Sequence, residues 1–136
     1  MLGLTAEKKG EVPVGALIVK DNKVIATAYN TREKDQIATH HAEIKAIERA
    51  CKKLKSWRLD NAEMYVTLEP CPMCAGAILN ARIKNLYYAV TDPKSGAITR
   101  FDMFNNTLNH TTKAVHDPTY QQQNKQMIQN FFKKHR

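Results

Sequence analysis

His41-Ala42-Glu43 and, further along, Pro70-Cys71-Pro72-Met73-Cys74 are the stretches from which the rest of this chain can be read. Cys71 and Cys74 stand three apart, a spacing at which both side chains of a first helical turn reach one ion. His41 adds an imidazole. Three ligands leave one position of a tetrahedral zinc to water, the arrangement of a catalytic rather than a structural site. Glu43, two residues beyond His41, is placed to take that water's proton. Pro70 cannot extend a strand ladder and so ends the run Met64-Tyr65-Val66-Thr67-Leu68. Pro72 suits the first turn of a helix, where its missing N–H does no harm. Cys71 then lies at a helix N-terminus, where the dipole and a metal both favour thiolate. Two thiolates cancel the charge of the ion, which then acidifies its water less than an all-imidazole site does. A carboxylate base is needed beside it, and Glu43 is the candidate.

Other readings of the same residues stay open at this point. A Cys-x-x-Cys pair also serves as half of a structural zinc site or as a redox pair. A closed structural site needs a fourth N or S ligand. Of the unassigned candidates, His40 adjoins His41 and would point elsewhere on a helix, while Cys51, His110, His116 and His135 fall at no close ligand spacing. A redox pair leaves His41-x-Glu43 without a role. Taken alone, Glu43 reads as a solvated helix carboxylate, and Met73 as a wall or core residue.

Around these stretches the 136 residues read as one domain, 1–136, long enough for a core of its own. A hydrophobic content of 43% argues against disorder. No apolar run nears membrane-spanning length and no signal peptide is evident. With Cys71 and Cys74 given to metal, Cys51 is left unpaired, which fits a reducing, cytoplasmic setting. The formal net charge of +8 suits an anionic partner such as nucleic acid, although solvated basic faces are common.

Periodicity supplies the elements. Leu2–Lys9 reads as the end of a helix stopped by Gly10. Val14–Val19 and Val24–Tyr29 form a hairpin through the turn Lys20-Asp21-Asn22-Lys23, and Asn30 closes the second strand. Arg32–Thr39 is a polar loop. A helix begins near His41, with Ile44, Ile47, Cys51 and Leu54 as its buried face. Met64–Leu68 is the third strand, Cys71–Ala81 the second helix and Leu86–Val90 the fourth strand, an order that implies a parallel crossover. Asp92–Gly96 is a loop, and Thr111–His116 a short fifth strand. Pro118–Arg136 reads as a C-terminal helix whose aromatics alternate with basic residues, a composition that suits RNA as well as ordinary dipole pairing.

His-x-Glu with Pro-Cys-x-x-Cys is the signature of zinc-dependent base deaminases. Three longer stretches extend the match: Gly10-Glu11-Val12-Pro13-Val14-Gly15-Ala16, Ser56-Trp57-Arg58-Leu59, and the run from Thr67 to Ile78. On these residues the chain resembles the bacterial tRNA adenosine deaminases of the cytidine deaminase superfamily, most densely from Gly10 to Gly96. The resemblance implies an α/β three-layer fold of the cytidine deaminase type, a five-stranded mixed sheet with helices on both faces. It implies a homodimer with one zinc per chain, converting adenosine to inosine at the first, wobble, position of a tRNA anticodon stem-loop. By position, His41, Cys71 and Cys74 resemble the zinc ligands and Glu43 the proton shuttle. Asn30 and the Ala42 backbone resemble contacts to the flipped nucleotide. Asp92, Lys94, Asn109, His110, Phe131, Phe132 and Arg136 resemble the RNA-facing residues. The chain departs from the pattern in its short first helix and in Thr111 after the Asn-His pair. Thr99-Arg100 stands where the family has Gly-Ser, and 115–126 matches poorly. A deaminase of free guanine, cytosine or their nucleosides shares the metal site and is the alternative activity. A non-catalytic RNA-binding or partner subunit is the other, although it would have no use for Glu43.

Overall fold

The structure, a computed structural model, describes residues 13–105 and 110–120. Strands β1 (Gly15–Lys20) and β2 (Lys23–Tyr29) lead into a one-turn helix α1 (Arg32–Asp35) and the long helix α2 (Ala42–Leu54). Strand β3 (Glu63–Leu68), helix α3 (Pro72–Asn80) and strand β4 (Asn85–Val90) follow, then β5 (Lys113–His116) and a 3-10 turn, Pro118–Tyr120. The strands form one mixed sheet in the order β2-β1-β3-β4-β5. β1 is antiparallel to β2 and to β3, whereas β3–β4 and β4–β5 are parallel. This is the five-stranded mixed sheet with helices that the sequence implies. Among the described residues no helix is long and apolar enough to cross a membrane.

The hairpin turn has a local cause. Asp21 and Asn22 adopt φ of 53° and 62°, which these two residue types tolerate, and two consecutive left-handed residues match the twist of the flanking strands. The register steps from Ile18↔Ala26 to Val19↔Val24, so Ile25 is the extra residue of a bulge. Register then places Ala16, Ile18, Ala26, Ala28, Met64, Val66, Leu86 and Tyr88 on one face of the sheet, all buried. Ile18, Met64 and Leu86 are fully enclosed, each worth about 1.5–3 kcal/mol of burial. Both long helices contribute to this same core, α2 through Ala42, Ala46 and Ala50 and α3 through Ile78.

The contact stripe of α2 differs from the one its large apolar residues suggest. Ala42, Ala46 and Ala50 are the buried positions, while Ile47, Cys51 and Leu54 pack at the edge of the core and Ile44 is half-buried. Alanines at the centre let the helix backbone approach β1 and β2 closely, so the bulky side chains fall on the flank of the contact. The expected loop at Arg32–Thr39 contains α1. Its single turn is closed by the Asp35 N–H to the Thr31 carbonyl (2.9 Å) and ended by Gln36 at φ 52°. β5 begins at Lys113 because Thr112 is buried and donates its hydroxyl to the Ile83 carbonyl. The helix expected at Leu2–Lys9 lies outside the described residues, as does the expected C-terminal helix beyond its opening 3-10 turn.

Candidate active site

β3 and β4 end, β1 begins and β2 ends at the same edge of the sheet, and there a cavity of about 290 Å³ opens. The N-termini of both long helices point into this region. His41 is the N-cap of α2 and Cys71 the N-cap of α3, with Pro72 at the first helical position. Neither cap side chain bonds its own helix backbone. They turn toward each other instead. The sulfurs of Cys71 and Cys74 lie 3.8 and 3.6 Å from His41 Nδ1, and the three ligand atoms fall within 4.8 Å of one another. A tetrahedral zinc with Zn–S near 2.3 Å and Zn–N near 2.0–2.1 Å separates sulfur and nitrogen by about 3.6 Å. The donor set and its spacing therefore fit a metal ion. Two helix N-termini add positive potential where two thiolates are needed.

The site is set up for thiolate. Hydrogen bonding from Cys74 and then from the His41 ring lowers the Cys71 thiol to about 4, although burial opposes this. Cys74 is pushed up, first by its bond to Cys71, then by burial and by Glu43. His41 is raised, chiefly by its bond to Cys71. Of the two sulfurs, Cys71 is thus the one that ionises more readily.

His41 is held by the loop that precedes it. The Thr31 N–H bonds the His40 carbonyl (3.2 Å), the Thr31 hydroxyl donates to Asp35 (2.6 Å), and Lys45 Nζ donates to the same hydroxyl (2.7 Å). His40 Nδ1 sits 2.7 Å from Asp35 Oδ2, so this second histidine braces the loop and takes no part in the metal cluster.

Glu43 lies in the first turn of α2, 4% exposed, on the cavity wall. Burial raises its carboxyl above the ordinary carboxylate range, partly offset by hydrogen bonds from its own backbone and from Cys74. A carboxyl shifted upward beside a metal site can both give and take a proton. Ala42 and Asn30 line the same cavity. The Asn30 side-chain oxygen accepts the Arg32 N–H (3.0 Å), and its backbone N–H bonds the Val14 carbonyl (3.1 Å). Its side-chain NH2 finds no partner among the described residues and remains available to a ligand.

The remaining expected site residues divide. Asp92 is on the cavity wall, its carboxylate accepting the N–H groups of Lys94 and Ser95 and the Ser95 hydroxyl. Lys94 is exposed and off the wall, and Ser95 takes that place. His110 bonds the Ile83 carbonyl (2.9 Å) just ahead of β4, at the sheet edge opposite the cavity, so this chain does not bring it to its own site. Asn109, Phe131, Phe132 and Arg136 lie outside the described residues.

Arg32, Glu69 and Ser95 also line the cavity, although the sequence by itself gives none of them a role there. Arg32 stands in a stretch that reads as polar loop. Glu69 sits inside the metal motif, but its partners are 23 to 30 residues away.

Comparison with known proteins agrees with this geometry. The MafB19-like deaminase family profile matches residues 2–136. The chain is 43% identical over 136 residues to a tRNA-specific adenosine deaminase of Agrobacterium fabrum, covering 97% of this chain and 88% of that one. It is 52% identical over 91 residues to the tRNA-specific adenosine deaminase of Bacillus subtilis, a match that spans 67% of this chain and 56% of that protein. A solved structure from work on A-to-I editing by tRNA:A34 deaminases at the wobble position of transfer RNA superposes with a TM-score of 0.89 at 39% identity, covering 93% and 92% of the two chains.

Proposed function

This chain belongs to the MafB19-like deaminase family, alongside the tRNA-specific adenosine deaminases, and on that premise we propose that it hydrolyses adenosine to inosine at the first anticodon position of a tRNA. The observation that carries the chemistry is the meeting of three metal-ligand atoms and one buried carboxyl in a single cavity. His41 Nδ1, Cys71 and Cys74 would hold one zinc. Bound there, zinc supplies Lewis-acid activation of water for attack on the ring carbon that bears the amino group. Glu43 takes one proton from the attacking water and passes it to the ring nitrogen, then moves the remaining proton of the added hydroxyl to the amino group, which leaves as ammonia. The Asn30 amide and the Ala42 backbone hold the flipped nucleotide against this pair, and Asp92 and Ser95 form the opposite wall.

A base inside a stacked duplex cannot enter such a cavity. An anticodon loop presents its bases unpaired, and the net charge of +8 meets the phosphates of the stem. Lys94, Asn109, Phe131, Phe132 and Arg136 belong to this RNA-binding reading. The working form is a cytoplasmic homodimer of single-domain chains, 1–136. Support for the dimer comes from α3: Met73 is 38% exposed, and a Cβ built on Gly76 meets nothing within 4 Å.

The test compares the zinc-loaded wild type with Glu43→Gln on an anticodon stem-loop carrying adenosine at the first anticodon position, beside free guanine, cytosine and adenosine. Inosine should form in the stem-loop, more slowly as salt rises. Glu43→Gln should keep its zinc and lose about two to four orders of magnitude in rate. Turnover of free bases with an inert stem-loop would overturn the tRNA reading, and a metal-loaded wild type inert on every substrate would favour a partner subunit.

A further inference from the structure

Glu69 follows β3 directly and is 2% exposed, although it lines the cavity. Both its oxygens are engaged, and by one segment. Oε1 accepts the Asp92 N–H (3.0 Å) and the Thr99 hydroxyl. Oε2 accepts the N–H groups of Ile98 (2.9 Å) and Thr99 (2.8 Å). A carboxylate offers about four lone-pair sites, and all four are taken, so none is left for a ligand. Neighbouring backbone bonds tie the same pieces together: the Glu69 N–H to the Val90 carbonyl (2.8 Å), and the Ala97 N–H to the Pro70 carbonyl (2.9 Å). Gly96 completes the fit. A Cβ there would overlap the Glu69 carboxylate and the Asp92 carbonyl oxygen.

The segment so fixed carries Asp92 and Ser95, which form the cavity wall. Without Glu69 the N–H groups of Asp92, Ile98 and Thr99 would each lose the acceptor they now have. Thr99 supplies two of the four donors.

We propose that Glu69 is a positioning residue: it fixes the 92–99 segment as a rigid wall and thereby sets substrate affinity, without touching substrate, metal or the transferred proton. This rests on the deaminase reading for its kinetic readout and on the structure alone for its physical one. Glu69→Gln keeps the shape but turns an N–H2 toward groups that are themselves donors. Thr99→Val removes only the hydroxyl bond and tests the same link with less risk to folding.

Hydrogen exchange at the Asp92, Ile98 and Thr99 amides should quicken about tenfold or more in Glu69→Gln, while amides of β3 and β4 keep their rates. Zinc content should not change. With the stem-loop, KM should rise about tenfold and kcat stay within about twofold, the pattern of lost binding and not lost chemistry. Thr99→Val should show a smaller rise, about threefold, and the double variant should fall short of the product of the two, because both act through one carboxylate. Unchanged exchange at the three amides would overturn the proposal, and so would a fall in kcat or zinc with KM unaltered. A wild type inert on the stem-loop would instead defeat the substrate reading. The exchange rates would then still support or overturn the fixed wall.

Discussion

Gly96→Ala adds one methyl group at a glycine packed against the Glu69 carboxylate, next to Ser95 of the cavity wall. Its φ lies outside the left-handed region, so alanine meets no backbone objection there. On that ground alone the substitution would stabilise by about 0.4–1 kcal/mol, through a less flexible unfolded chain. Sterics reverse the sign. The new Cβ would overlap the Glu69 carboxylate and the Asp92 carbonyl oxygen. The carbonyl is backbone and accepts the Gly96 N–H (2.9 Å), so it cannot swing aside without breaking its own turn. The carboxylate must therefore move, and its four bonds come from three residues of one segment. Losing two of them, at about 1.5–3 kcal/mol for each hydrogen bond to a charged group, outweighs the entropic gain. The expected net loss is about 3 kcal/mol. At about 3–5 °C per kcal/mol for a chain of this size, the melting temperature should fall by about 10–15 °C. Thermal and urea melts of zinc-loaded wild type and variant, with unchanged m-value, measure this. A variant melting within about 2 °C of wild type, or above it, would show that the carboxylate does not occupy that space and would refute the reasoning.

Removing a metal ligand should be severe: Cys74→Ala deletes a fully buried sulfur of the triad, and elemental analysis should find almost no zinc, with a marked loss of stability. Full zinc in that variant would remove Cys74 from the ligand set. The depressed Cys71 thiol makes a pH prediction for the metal-free protein. Its folded value, about 4, lies below the ordinary thiol range. The thiolate's stabilisation is thus complete above that range and is lost as pH falls through about 4. Iodoacetamide near pH 6 should then label Cys71 and spare Cys51, whose thiol burial pushes up, and zinc should protect Cys71; labelling of Cys51 first would contradict this. Gly76→Leu tests the homodimer, because its side chain would enter open space in a lone chain. The mass by light scattering should drop from dimer to monomer with zinc retained, and an unchanged dimer would place the interface elsewhere.

Where geometry is set within a few residues, the sequence was sufficient. Asp21-Asn22 specifies the hairpin because two adjacent left-handed residues need side chains that tolerate them. Cys71, Pro72 and Cys74 specify half a metal site because a helical turn brings positions three apart onto one side. His41-x-Glu43 does the same at the start of α2, and the match to a known signature joins the two halves. Tertiary structure decided what depends on shape across the sheet. It made Ala42, Ala46 and Ala50 the contact stripe of α2, since closeness of backbones and not side-chain size selects the buried positions there. It carried His110 to the edge away from the cavity, because β5 runs parallel to β4 and its leading loop must lie where β4 begins. It brought Arg32 and Ser95 to the cavity and closed Glu69 onto a segment 23 to 30 residues further on. A lone buried glutamate has no periodicity to betray it, and its partners are backbone N–H groups that every residue but proline offers. Only the folded chain determines which of them it meets.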